Sequence, residues 1–257
     1  MSRVALVTGG GTGIGAAVAR RLAADGYSVA VTGRRPGPIA EIAREIDGLA
    51  IVADVGVAAD ADRAVAETVA RFGAMHALVL NAGVGGEGSL LDLDPAVFER
   101  VFATNVTGAF LVARAAISHL LEARGAIVSV SSVAGLRSAP ASLAYCSSKA
   151  ALTMLTQCIA IDHGPAGVRA NAVCPGWVRT PMADGEMAAL GLGTIDDAYA
   201  AVTQDVPLRR PSSPEEIAGT VAWLLSSDAS YVNGAAIPVD GGHAAVDVGT
   251  LAFGRVA

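Results

Sequence analysis

The sequence predicts an α/β fold, a doubly wound parallel sheet flanked by helices, and three observations predict it. Seven short apolar runs recur along the chain, helix-length amphipathic segments fill the gaps between them, and the first run ends in a glycine-rich turn that opens straight into a helix. At 257 residues the chain matches one large domain, residues 1–257, better than two small ones. A hydrophobic fraction of 53% with 16% charged residues is enough to fill a core on both faces of such a sheet, and it excludes disorder.

The runs are Val4–Thr8, Val29–Thr32, Leu49–Ala53, Ala77–Leu80, Ala126–Val130, Val168–Val173 and Ala235–Val239, each of a length and branching typical of strands buried on both faces. Between them, Ile14–Asp25, Asp60–Phe72, Pro95–Leu121, Ser142–His163 and Pro214–Leu225 carry apolar residues at spacings of three and four, the period of a helix face. Asp94-Pro95 and Ser213-Pro214-Glu215-Glu216 each place a capping side chain before a first-turn proline, and the acidic pair suits the helix dipole. Alternating strands and helices require right-handed crossovers and put ligands beyond the carboxyl ends of the strands. In residues 182–211, Gly185, Gly191, Gly193 and Pro207 break every helical period, so this segment reads as a long loop, a substrate lid.

A net charge of −6 with no Lys/Arg cluster excludes nucleic acid and anionic membrane surfaces as partners and leaves small molecules. Cys146, Cys158 and Cys174 form no C-x-x-C pair and have no neighbouring histidines, which argues against a disulfide framework or a zinc site and for the reducing cytoplasm. His76, His119, His163 and His243 are scattered and read as packing or surface residues. The first residues enter a strand at once, and no stretch of about 18 apolar residues runs without polar interruption, so neither a signal peptide nor a membrane span is expected.

The first strand ends Thr8-Gly9-Gly10-Gly11-Thr12-Gly13-Ile14-Gly15, an arrangement that brings backbone N–H groups to a pyrophosphate at a helix N-terminus. The same residues would also serve an ordinary strand-to-helix turn. In such motifs an acidic residue about 20 positions on bonds the ribose of NAD. Here the second strand ends Thr32-Gly33-Arg34-Arg35, and two guanidiniums with no carboxylate favour NADP(H), with NAD(H) as the alternative. Asp54, followed by Val55, lies just past the third strand; it either accepts from the adenine amino group or caps the next helix.

Tyr145 and Lys149, four apart in a helical segment, share one face. A free phenol titrates near 10, and an adjacent ammonium draws it toward the working range of a general acid or base. Of the chain's 18 basic residues 17 are arginine and one, Lys149, is lysine, a compact point charge that a flat guanidinium cannot imitate. Ser132, just past the strand Ala126–Val130, can bond a reacting carbonyl oxygen, with Ser131 as its rival.

Taken together these residues resemble the short-chain dehydrogenase/reductase family over nearly the whole chain. Its T-G-x-x-x-G-x-G appears as Thr8 to Gly15, its N-A-G as Asn81-Ala82-Gly83, its mid-helix asparagine as Asn105, its Y-x-x-x-K as Tyr145 to Lys149, and Pro175-Gly176 follows the sixth strand. The resemblance implies a single Rossmann-type domain with a seven-stranded parallel sheet. It implies Ser132, Tyr145 and Lys149 as the catalytic group, with Asn105 holding a proton-relay water. The dinucleotide would lie along Gly9, Gly11, Thr12, Gly13, Ile14, Gly15, Asp54 and Val55, then Asn81, Ala82 and Gly83 on the adenosine side. Pro175 and Gly176 would also border the cofactor, and Val178 and Thr180 would meet the nicotinamide amide. A homotetramer is also implied, with outward apolar residues of the two longest helices as subunit contacts. Thr12 stands where many NADP-using relatives carry a basic residue, so the NADP preference rests on Arg34.

The function expected is hydride transfer between NADP(H) and a small-molecule ketone or secondary alcohol. A reductase of 3-oxoacyl thioesters is the alternative, for which Arg124, Arg137, Arg209 and Arg210 would receive an acidic carrier. A nucleotide-sensing protein without turnover is a third reading, which the intact Ser132, Tyr145 and Lys149 oppose. Leu90, Leu91, Leu136, Ala139, Trp177, Met182 and Met187 suggest a mostly apolar substrate pocket, and the tail Ala244–Ala257 is expected either to reach a neighbouring subunit or to be disordered.

Overall fold

The computed structural model describes residues 2–247 and 249–251. Its seven strands are β1 (Arg3–Thr8), β2 (Tyr27–Gly33), β3 (Leu49–Val52), β4 (Ala77–Leu80), β5 (Ala126–Val130), β6 (Arg169–Pro175) and β7 (Ala236–Val239), every pairing parallel, in the order β3-β2-β1-β4-β5-β6-β7. The chain runs outward from β1 to β3, then returns across β1 and runs outward the other way. The crevice at the carboxyl ends of β1 and β4 is therefore the topological switch point, where such sheets bind ligands.

Side chains alternate along each inner strand and build two cores. Ala5, Val7, Ala77, Val79, Ala126, Val128 and Val130 face one side, covered by α1 (Gly13–Ala24), α2 (Pro36–Glu45) and α9 (Pro214–Leu225). Leu6, Leu78, Leu80 and Ile127 face the other, covered by α3 (Ala58–Phe72), α5 (Ala109–Ala123) and α6 (Leu143–His163). At about 1.5–3 kcal/mol per buried Val, Leu or Ile side chain, these two layers are the main stabilising force.

Three elements differ from the sequence expectation. The helix α2 was not foreseen, because Pro36, Gly37 and Pro38 look like breakers; all three fall in its first turn, where proline's missing N–H costs nothing. The helix expected over Pro95–Leu121 is α4 (Pro95–Phe102), a π-helical turn at Ala103–Gly108, and α5. Pro95–Ala123 is long and apolar enough to cross a membrane by length and composition, yet Val112, Ala113, Ala116 and Leu120 of it lie in the second core.

The third difference is the segment expected to be a substrate lid. Residues 182–211 are not a structureless loop but carry α7 (Pro181–Ala189) and α8 (Ile195–Val202). Caps supply the missing signal: Thr180 accepts from the Ala183 N–H at 3.2 Å, and Thr194 and Asp197 form a reciprocal capping box. Ala183, Met187, Ala198 and Tyr199 form a small core of their own, with Trp177 and Val202 packed against it. The Tyr199 hydroxyl donates to Asp184 at 2.8 Å, and Arg179, paired with Asp196, stacks on the Tyr199 ring. Of the tail 244–257, Val248 and residues 252–257 lie outside the described residues, while Ala244 and Val246 turn back toward the sheet edge.

Candidate active site

A groove of about 680 Å³ follows the carboxyl edge of the sheet, from Arg34 and Arg35 beyond β2, across the switch point, to Ser132, Tyr145 and the lid beyond β5 and β6. Gly9, Gly11, Thr12, Gly13, Ile14, Asp54, Val55, Asn81, Ala82, Gly83, Pro175, Gly176, Val178 and Thr180 line it. Gly15 and Asn105 do not.

Gly15 acts one layer behind. A Cβ there would stand 2.3 Å from the Gly9 carbonyl oxygen and 2.4 Å from Asn81 Nδ2, so only glycine lets α1 close on the turn. Asn81 is itself a tie: its Nδ2 donates to the carbonyls of Thr8 at 2.9 Å and Gly9 at 3.1 Å, while Thr8 Oγ1 accepts from the Asn81 and Ala82 N–H groups. Gly15→Ala is expected to cost about 1–3 kcal/mol, an overpacking penalty read by denaturant unfolding.

The groove suits a nicotinamide dinucleotide on several grounds. The N-terminus of α1 has no side-chain cap and no acidic residue in its first turn, leaving N–H groups for an anion. Gly13 holds φ +54° beside Thr180, and a Cβ on Gly11 would fill the cradle at 3.1 Å from Ile39 and Pro38. Among the described residues Thr32 Oγ1 is the buried side-chain polar atom left without a partner, and Thr32 borders the groove. Asp54 Oδ1 accepts from the Gly56 N–H at 3.0 Å, closing a turn; the N-cap of α3 is Val57, so the capping alternative for Asp54 is not realised.

At the other end, α6 carries Tyr145 and Lys149 on the face toward β5. Lys149 is 4% exposed, and its Nζ donates to the Val130 carbonyl at 2.9 Å. Ser131, the rival serine, turns away from the reaction: its Oγ donates to the Lys149 carbonyl at 2.9 Å, and Thr153 donates to the same oxygen at 3.0 Å. Ser132 Oγ accepts from the Ala134 N–H at 3.1 Å and is close enough to Tyr145 to lower its pKa. Asn105, fully buried in the π turn, accepts from the Val84 N–H at 2.8 Å and donates to Ser148 at 2.9 Å, bolting the loop after β4 to α6. It lies beside Lys149: a Cβ on Gly83 would meet Lys149 Nζ at 3.3 Å and Asn105 Oδ1 at 3.4 Å. A π turn at such a place is a recurrent mark of functional sites.

Titration differs from the sequence expectation. Burial pushes the Tyr145 phenol up to about 12, the neighbouring Ser132 hydroxyl pulls it down, and the nearby Glu186 carboxylate adds to the rise. Burial likewise lowers Lys149 to about 8, so it is still mostly protonated at neutral pH. The ammonium lies 5.6 Å from the Tyr145 ring centroid and spends one proton on Val130, too loosely placed to offset the phenol's desolvation.

The substrate end is less apolar than expected. Ala139, Trp177 and Met182 line it, but Leu90 and Leu91 are 86% and 99% exposed, Leu136 is exposed outside it, and Met187 is buried in the lid core. Glu87, Arg137 and Glu186 line it instead, with His243 on its rim. No sequence motif marked Glu87 or Glu186.

Comparison with known proteins agrees with this fold. A family model described as enoyl-(acyl carrier protein) reductase matches residues 9–244. The chain is 42% identical to the protein MoaE of Klebsiella aerogenes, over 98% of this chain and 100% of that protein. It is 41% identical to a 2-(S)-hydroxypropyl-CoM dehydrogenase of Xanthobacter autotrophicus, over 95% and 98%. Among solved structures, an actinorhodin polyketide ketoreductase with NADPH superposes with TM-score 0.91 at 32% identity, covering 95% of this chain and 98% of that one. A 3-ketoacyl-(acyl-carrier-protein) reductase from Brucella melitensis with NADH superposes with TM-score 0.86 at 31% identity, covering 94% and 98%.

Proposed function

The chain belongs to the short-chain dehydrogenase/reductase family and is an oxidoreductase, and on that premise we propose that it interconverts a small-molecule ketone and a secondary alcohol with NADP(H), using Tyr145 as general acid or base. One observation carries the reading: Ser132, Tyr145 and Lys149 converge on the groove wall at the end opposite Arg34 and Arg35. When bound, the nicotinamide dinucleotide supplies or accepts the hydride.

Tyr145 gives its hydroxyl proton to the substrate oxygen in reduction and takes it back in oxidation. Ser132, beside Tyr145, donates to the same substrate oxygen and stabilises the charge that develops there. Lys149 brings the positive charge that eases proton loss from Tyr145, held in place through Val130, Ser131 and Thr153. Asn105 acts through position, fixing the loop after β4 against the helix that bears both groups.

The preference for NADP(H) is supported by Gly33, Arg34 and Arg35 at the end of β2, where both arginines are exposed to the groove and enter no ion pair among the described residues. Arg34→Ala is expected to weaken NADPH binding about 10- to 100-fold, as loss of charged hydrogen bonds does, and to spare NADH. Fluorescence titration with both cofactors checks it, and NADH binding as tight as NADPH and insensitive to the change would sink the preference.

The 3-oxoacyl-thioester alternative finds less support. Of its four arginines only Arg137 lines the groove; Arg209 does not, Arg210 is held by Glu216 in a two-pronged pair, and Arg124 precedes β5 and so lies at the opposite edge of the sheet. Homotetramer assembly belongs to the same proposal, supported by Phe110 on α5 and by Met154 and Ile161 on α6, all exposed at 46–75%. Sedimentation should give about four times the 25.6 kDa chain mass, and a monomer would remove it.

A further inference from the structure

The substrate end of the groove holds a carboxylate that nothing in the protein uses. Glu186 lies on α7, half-buried, in the same wall as Ser132 and Tyr145. A Cβ built on Gly85 would stand 3.7 Å from Glu186 Oε1, so the carboxylate reaches across to the loop that follows β4 and forms the facing wall. Three other acids of segment 182–211 are engaged elsewhere: Asp184 accepts from Tyr199, Asp196 pairs with Arg179, and Asp197 caps α8. Glu186 has no hydrogen bond or ion pair among the described residues, and Arg137, on the same rim, pairs with neither it nor Glu87.

A half-buried carboxylate with no donor is costly unless something else supplies one. Burial raises the Glu186 pKa, and the second carboxylate, Glu87, raises it further. Glu87 and Glu186 outnumber the one guanidinium on that rim, Arg137, so the space beside Tyr145 favours a donor or a cation over an anion.

We infer that Glu186 is a specificity-determining residue: its carboxylate accepts a hydrogen bond from a hydroxyl or protonated amine on the substrate, near the carbinol carbon, and the pocket turns anionic substrates away. This rests on the oxidoreductase reading above and names the substrate class within it. Hydroxyl and ammonium share the chemistry of a donor, and replacing the carboxylate by an amide separates them, since an amide oxygen still serves a hydroxyl but no longer neutralises a cation.

The test compares wild type with Glu186→Leu and Glu186→Gln by kcat/KM for oxidation of 2-butanol, 2,3-butanediol, 1,3-butanediol, 3-amino-2-butanol and 3-hydroxybutyrate, and for reduction of the matching ketones. NADPH titration alongside reports that each variant is folded. Wild type should prefer a diol or the amino alcohol over 2-butanol by about tenfold or more, chiefly through KM, and use 3-hydroxybutyrate worst. Glu186→Leu should erase that preference. Glu186→Gln should retain it if the donor is a hydroxyl and lose it if the donor is an ammonium. No preference in wild type, or the same preference in Glu186→Leu, overturns the inference while turnover itself upholds the oxidoreductase reading. Failure of wild type to turn over any member with either cofactor overturns both.

Discussion

Replacing Tyr145 by phenylalanine is expected to lower kcat by about 10²–10⁴-fold, the range of a general acid–base contribution, with little change in NADPH affinity. The substitution deletes one oxygen and keeps the ring, so helix packing survives, and the loss reports the proton transfer alone. The Ser132 hydroxyl still accepts from the Ala134 N–H, so it stays in place. Stopped-flow or steady-state turnover, with cofactor binding measured in parallel, decides the matter. Activity within about tenfold of wild type would show that another group moves the proton. Cofactor binding in a wild-type protein that turns over no ketone or alcohol would favour a sensing role.

The second large effect concerns Lys149. Lys149→Arg keeps the charge and still should cost about 10²-fold or more in kcat/KM. The site holds Nζ at 2.9 Å from the Val130 carbonyl with 4% exposure, and a planar guanidinium fits neither that space nor that single acceptor. Unlike the tyrosine change, it should also weaken cofactor binding, because Lys149 lines the groove beside Gly83. Its pKa, lowered by burial to about 8, sets the sign of the pH effect: the ammonium is lost as pH rises through that value, so the wild-type rate should decline on that limb. Near-wild-type activity of the arginine variant would mean that charge alone is required.

The sequence made the sheet legible because strands buried on both faces are written as continuous Val, Ile and Ala runs, and the glycine turn and the Tyr145–Lys149 spacing carry their chemistry locally. What stayed hidden depends on contacts distant in sequence. Gly15 reads as a phosphate ligand until Asn81 is seen to stand 2.4 Å from where its Cβ would be. The choice between Ser131 and Ser132 needs Thr153 and the Lys149 carbonyl, supplied by a helix about 20 residues on. The helices α7 and α8 escape periodicity because they are short, α7 carries Gly185 in its interior, and Gly191 and Gly193 lie between them at positive φ. Glu186 belongs to the pocket only because α7 folds toward Gly85.

The buried position of the sole lysine has a consequence for the molecule as a colloid. Every other basic side chain is arginine, which keeps its charge beyond pH 12, so the exposed cations do not titrate in the alkaline range where lysine-rich surfaces become neutral. Between about pH 9 and 11 the exterior should keep both signs of charge, its ion pairs such as Arg20–Glu45 and Arg210–Glu216 intact, and its solubility nearly flat.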